Sequence, residues 1–327
     1  RTMNHRERLE ATIRGEKPDR IAVALWRHWP GDDQNPEDLA AAVLRFQRDY
    51  DFDFIKVTPS SSYCLEDWGV RTRWLGSQEG TREYTHHPIG QADDWTRLPV
   101  LDPRQGALGA QLRCLSLVHD GAGDVPFLPT IFSPLAQAKN LVGGDRLLVH
   151  LRQYPDALKA GLETITATTV RFVRAARRTG IAGIFYAIQH ASYGLLSEAE
   201  YREFGRPYDL RILEAAAEGS WFNLLHLHGT DTMFDVVADY PVQAINWHDR
   251  ETPPTMAQAL GRTRAALCGG LNRDETMLRG SLADVRAQVA DAIRQTDGRR
   301  LIVATGCVIL VTTPTANIRA AREAVNR

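Results

Sequence analysis

Phe222-Asn223-Leu224-Leu225-His226-Leu227-His228-Gly229 is the stretch that decides the fold. It opens as a short buried strand and ends in two histidines and a glycine. Alternate residues of a strand point to one face, so Leu224, His226 and His228 project together. A helical pattern over residues 197–217 precedes it, and a short one follows Thr230. The same unit of apolar run, polar loop and helix recurs in both directions. Strands are expected at 21–26, 54–58, 126–131, 184–188, 222–227, 242–247, 265–268 and 301–304. The last of these is expected to run on toward Cys307.

Helices are expected between them. The first covers residues 4–14 with Asn4 as N-cap, Gly15 at its C-terminal end and Pro18 beyond. Others fall at 36–50, 105–119, 155–179, 256–264 and 282–295. A last helix is expected to start with Thr313 as N-cap and Pro314 at its first position. Residues 70–87 alternate polar and aromatic side chains around Gly76 and Gly80, which predicts a β-hairpin inserted after the second strand. Eight strands alternating with helices indicate parallel βαβ units. The expected fold is therefore α/β: a (β/α)8 TIM barrel forming one domain over residues 1–327, with neighbouring termini.

The 327 residues are 43% hydrophobic and 24% charged, ordinary for a globular chain of this size. The net charge of -1 argues against a nucleic-acid or anionic-membrane partner held by bulk charge. No apolar run reaches the ~20 residues of a membrane span. The start, Arg1-Thr2-Met3-Asn4-His5, lacks the apolar core of a secretory signal. Four cysteines without a CxxC pair suggest reduced thiols and a cytoplasmic setting. Dinucleotide, P-loop and GxSxG signatures are absent.

Active sites of such barrels gather at the C-terminal strand ends. His226 and His228 end the fifth predicted strand, and Cys307 follows the eighth. Two nitrogens and one sulfur would make a three-ligand zinc site with one position open. The same residues also suit a packing role, with imidazoles bonded to carbonyls and a small buried thiol. Other polar side chains fall at strand ends: Arg27 and His28 after the first; Lys56, Ser60, Tyr63 and Glu66 on or after the second; Gln189, His190 and Ser192 after the fourth; His248 and Asp249 after the sixth; Asn272 after the seventh. Together they suggest a histidine-rich pocket. Arg27, His28, Lys56, Glu66, His190 and His248 are the candidates for catalysis. Tyr63, Gln189, Ser192 and Asn272 are the candidates for holding a cofactor.

Several segments resemble the uroporphyrinogen decarboxylase superfamily: residues 3–23 (MNHRERLEATIRGEKPDRIAV), 191–208 (ASYGLLSEAEYREFGRPY), 225–229 (LHLHG), 244–248 (AINWH), 269–272 (GGLN) and 306–309 (GCVI) with Thr313-Pro314. The resemblance implies a (β/α)8 barrel. It also implies one of two chemistries. One branch decarboxylates uroporphyrinogen III without a cofactor, through an arginine pair after strand one and an aspartate ending strand two. The other comprises zinc-dependent methyltransferases that move a methyl group between a corrinoid and a thiol. Their zinc ligands follow a His-x-Cys motif on strand five and a distant Cys.

Here Arg27 is followed by His28, Trp29 and Pro30, and the second strand ends Lys56-Val57-Thr58-Pro59-Ser60 without aspartate. His226 and Cys307 match the methyltransferase motif, and His228 stands in place of its middle cysteine. The resemblance thus implies zinc on His226, His228 and Cys307. It also implies a corrinoid as substrate or on a partner protein, because no corrinoid domain is evident in this chain. The other expectations are uroporphyrinogen decarboxylation, with Arg27 and Lys56 holding carboxylates, or silent tetrapyrrole or corrinoid binding. A homodimer stays open.

Overall fold

The computed structural model describes residues 2–326. Among these residues ten strands occur: β1 (Ala22–Val23), β2 (Ile55–Val57), β3 (Arg71–Arg73), β4 (Glu83–His86), β5 (Phe127–Phe132), β6 (Phe185–Ile188), β7 (Leu224–Leu227), β8 (Ala244–Trp247), β9 (Ala266–Leu271) and β10 (Leu301–Thr305). Eight of them form one parallel sheet in the order β1-β10-β9-β8-β7-β6-β5-β2. The two end strands are neighbours in the chain. The backbone N–H of Asp53 donates to the Val23 carbonyl at 2.9 Å, which joins the edges. The cyclic order is that of a (β/α)8 barrel. Ring contacts from Phe222 to Phe54, Phe54 to Trp26 and Trp26 to Phe185 link four strand segments in the core.

β3 and β4 pair antiparallel as the hairpin after β2. The first helix, His5–Ile13, has the Asn4 cap, with Glu7 completing a capping box. Beneath the barrel the fully buried Asp53 accepts hydrogen bonds from Arg8 (2.7 Å), Arg20 (2.7 Å), His5 (3.0 Å) and the Val23 N–H (2.8 Å). Burial works to raise its pKa; the bond from His5 and the charges of Arg20 and Arg8 outweigh burial and hold it low. Asp51 meets His5 at 3.2 Å and Arg322 at 2.7 Å, so the two ends of the chain lie side by side.

Several expectations need correction. The last helix is Thr315–Ala324, capped by Pro314. Thr313 does not cap it, because its hydroxyl donates to the Leu310 carbonyl at 2.7 Å. The helix expected over 197–217 is two helices, Glu198–Phe204 and Arg206–Ala217, broken at Gly205 beside Pro207. That expected over 256–264 stops at Ala259. β1 pairs over only two residues. Two helices without an expectation, Pro134–Val142 and Arg146–Gln153, fill the stretch before the long helix Pro155–Arg177.

Candidate metal centre and cavity

Parallel register sets the site. His226 lies opposite Asn246 on β8, and His228 follows at the strand end. Cys307 lies two residues beyond β10. One ligand atom each of His226, His228 and Cys307 lies within 4.8 Å of the others. Cys307 Sγ is 3.8 Å from His228 Nδ1. Zinc bonds of ~2.0–2.1 Å to nitrogen and ~2.3 Å to sulfur, at a tetrahedral angle, leave roughly 3.6 Å between such donors. The donor set and its spacing fit a zinc ion. Phe185 stacks on the His226 ring at 5.4 Å between centroids.

Burial alone would raise the Cys307 thiol, but the imidazoles of His226, His228 and His248 around it outweigh burial and hold its pKa well below the usual thiol range. Burial lowers the His226 pKa. At His228 burial pulls the same way, but the Cys307 sulfur prevails and the pKa rises. The His248 ring is 5.3 Å from that of His228, and its buried Nε2 has no hydrogen-bond partner. Gly306 makes this approach feasible. A Cβ there would lie 2.7 Å from His248 Cα and 3.0 Å from the Trp247 carbonyl oxygen.

The trio forms one wall of a cavity of about 300 Å³. Apolar walls come from Trp26, Phe132 and Phe185, and polar ones from His28, Lys56, Lys139, Gln189, Arg82 and Tyr84. Lys56 Nζ lies 3.2 Å from Thr58 Oγ1 and 4.6 Å from the Phe185 ring centroid. Burial pulls its pKa down to about 7. Lys139 donates to Gln189 Oε1 at 2.7 Å, and burial lowers its pKa too. Burial, with Lys56 nearby, takes His28 down to about 4, and its Nδ1 has no partner. The hairpin tip roofs the cavity. Glu79 pairs with Arg273 at 2.6 Å, and the Val311 N–H donates to the Gln78 carbonyl at 2.9 Å. Gly80 permits the contact, since a Cβ would lie 2.6 Å from His28 Cβ.

Of the residues singled out from sequence, His28, Lys56, Gln189, His226, His228 and Cys307 line this cavity. His248 adjoins the trio. The others lie elsewhere. Arg27 stacks over Trp29 at 4.4 Å and donates to the His28 carbonyl. Tyr63 donates to the Thr130 carbonyl at 2.6 Å, and Glu66 accepts from Ser62. Ser60 shares a hydrogen bond with Ser62. Ser192 donates to the Thr230 carbonyl. Asp249 accepts from the Gly270 N–H. Asn272 caps the π-helical turn Arg273–Leu278. His190 is buried outside the lining, and burial takes its pKa down to about 3. Sequence reasoning missed Lys139, Arg82, Tyr84, Glu79 and Asn246. Asn246 alone carried a signal, as a polar residue inside an apolar strand.

A TIM-barrel fold with a His-His-Cys cluster at its C-terminal mouth defines the class. The uroporphyrinogen decarboxylase (URO-D) family model matches residues 4–327, and the chain belongs to that family. It is 22% identical over 330 residues to the methylcobamide:CoM methyltransferase MtbA of Methanosarcina mazei, covering 96% of this chain and 95% of that one. It is 27% identical over 234 residues to the uroporphyrinogen decarboxylase of Rhodococcus opacus, covering 69% and 64%. The solved structure of a methyltransferase from Methanosarcina mazei superposes with a TM-score of 0.85 at 20% identity, covering 98% of each chain. Among the described residues no helix is long and apolar enough to cross a membrane.

Proposed function

We propose that this protein is a zinc-dependent methyltransferase that moves a methyl group between a corrinoid and a small thiol. The observation that carries the reading is the convergence of His226, His228 and Cys307 on one wall of a cavity. The end-to-end likeness to a methylcobamide:CoM methyltransferase supports it. His226, His228 and Cys307 would hold the ion. Zinc, when bound, supplies the Lewis acidity that keeps an acceptor thiol in its nucleophilic thiolate form.

The chain's own residues do the rest. Trp26, Phe132 and Phe185 shed water from the acceptor. Lys56 and Lys139 make no ion pair with a carboxylate among the described residues, so they are free to hold an acidic tail. The corrinoid, free or carried by a separate protein, would approach from outside, since ~300 Å³ is the low end of small-molecule pockets.

The lining itself disfavours uroporphyrinogen decarboxylation. Among the described residues no aspartate lines the cavity, and Arg27 is turned onto Trp29. Elemental analysis of protein purified without a histidine tag should find close to one zinc per chain. Methylcobalamin should lose its methyl group to an added thiol only when zinc is present. Coproporphyrinogen formation from uroporphyrinogen would favour the decarboxylase reading. Tight tetrapyrrole or corrinoid binding with neither zinc nor turnover would favour a silent binder.

A further inference from the structure

We propose that Asn246 is a positioning residue that selects which nitrogen of His226 is free to ligate and ties that ring to the strand carrying Cys307. The consequence for metal rests on the proposed function; the positioning itself does not.

Asn246 is fully buried in the middle of β8. A polar amide among apolar strand residues is costly unless its bonds are made. Here they are. Its Nδ2 donates to the Cys268 carbonyl at 2.9 Å and to the Thr305 carbonyl at 3.0 Å. Both partners are acceptors only, so the NH2 must face them and Oδ1 must face away. Oδ1 then lies 2.6 Å from His226 Nδ1. An amide oxygen has no proton to give, so the shared proton sits on Nδ1. The neutral ring therefore keeps its lone pair on Nε2, the nitrogen left to ligate. His228 is arranged the other way, with Nδ1 turned to Cys307.

The second half of the argument is the Thr305 bond. Thr305 precedes Cys307 by two residues, and its hydroxyl donates to the Cys307 carbonyl. One amide thus bridges the His226 ring on β7 and the backbone that leads to Cys307. It acts on the tautomer of one donor and on the placement of another. Phe185 stacks on the plane of the ring, and Asn246 fixes the proton at Nδ1.

Nitrogen-15 NMR of the metal-free wild type, at a pH where His226 is neutral, reads the tautomer directly. A single Nδ1-protonated form is expected; an Nε2-protonated majority overturns the proposal, and no variant is needed. Zinc affinity, measured by competition with a chromophoric chelator, tests the consequence. Asn246→Leu, similar in volume, should bind zinc ~10–100-fold more weakly, as when other outer-shell partners of ligating histidines are lost. Asn246→Asp keeps the acceptor for Nδ1 but sets an oxygen against the Cys268 and Thr305 carbonyls, so it should keep the Nδ1-protonated ring and recover only part of the affinity lost in Asn246→Leu. Leu binding as tightly as wild type overturns the positioning role. A wild type that shows the Nδ1-protonated ring yet binds no zinc leaves the positioning standing and sinks the methyltransferase reading.

Discussion

Asp53 lies two residues before β2 and Lys56 in the middle of it, and both side chains are buried. Asp53, at the floor, has two arginines, a histidine and a backbone N–H around it. Lys56, toward the mouth, has one threonine hydroxyl and an aromatic face. The floor follows the usual rule that buried charge is paired. The mouth breaks it, and His28 and His248 each leave a buried nitrogen without a partner there. A satisfied charge holds strands together. An unsatisfied one in a cavity is a place for a ligand.

The contrast breaks first at the floor. Asp53→Ala leaves Arg20 without its counter-charge and Arg8 with Asp19 alone. Unfolding by denaturant should show a loss of about 3–5 kcal/mol, with zinc stoichiometry unchanged in the folded fraction. Cys307→Ser should behave in the opposite way. Zinc sites worth about 10–16 kcal/mol over four ligands make one ligand worth roughly 3–4 kcal/mol. Chelator competition should therefore show zinc binding weakened several-hundred-fold, while the metal-free melting temperature barely moves.

A third buried charge sharpens the rule on the flank of the barrel. Asp209 accepts hydrogen bonds from Tyr186, Tyr201 and Tyr240, yet burial leads the balance and lifts its pKa to about 6. A raised acid favours the folded state when protonated. Its contribution is present below about pH 4 and lost as pH rises through about 6. Two pH units correspond to about 3 kcal/mol. The difference in unfolding free energy between wild type and Asp209→Asn should carry that slope. A flat difference from pH 4 to 7 would show the phenols hold the carboxylate as well as the arginines hold Asp53. The smallest expected effect is at the cavity wall. Lys139→Gln should raise KM for an acidic thiol about tenfold and leave that for a neutral thiol such as mercaptoethanol unchanged.

Much of this was legible in the sequence, for local reasons. β-branched runs and polar loops give the eight strands, and Asn4 with Gly15 announces the first helix. His226 and His228 follow from strand alternation. Cys307 needed the barrel, because its neighbours in space are 79 residues away in the chain. Lys139 was hidden because the helix Pro134–Val142 is apolar around it, and nothing local marks which turn meets the cavity. Glu79 and Arg82 were visible as a hairpin, but a hairpin's own pattern does not say where it docks. Thr313-Pro314 misled because the hydroxyl had a nearer acceptor in Leu310.

The trio draws its members from β7 and from the segment after β10, so whatever engages both sides is a cross-link across half the ring. A nascent chain that ends before Gly306 carries the two imidazoles of the trio without its thiol. Ligand affinity therefore appears only when the last strand has docked. From that moment it adds to the free energy of the closed ring by mass action, growing with the logarithm of free ligand over its dissociation constant. Metal supply would then govern the lifetime of the completed barrel as well as its chemistry.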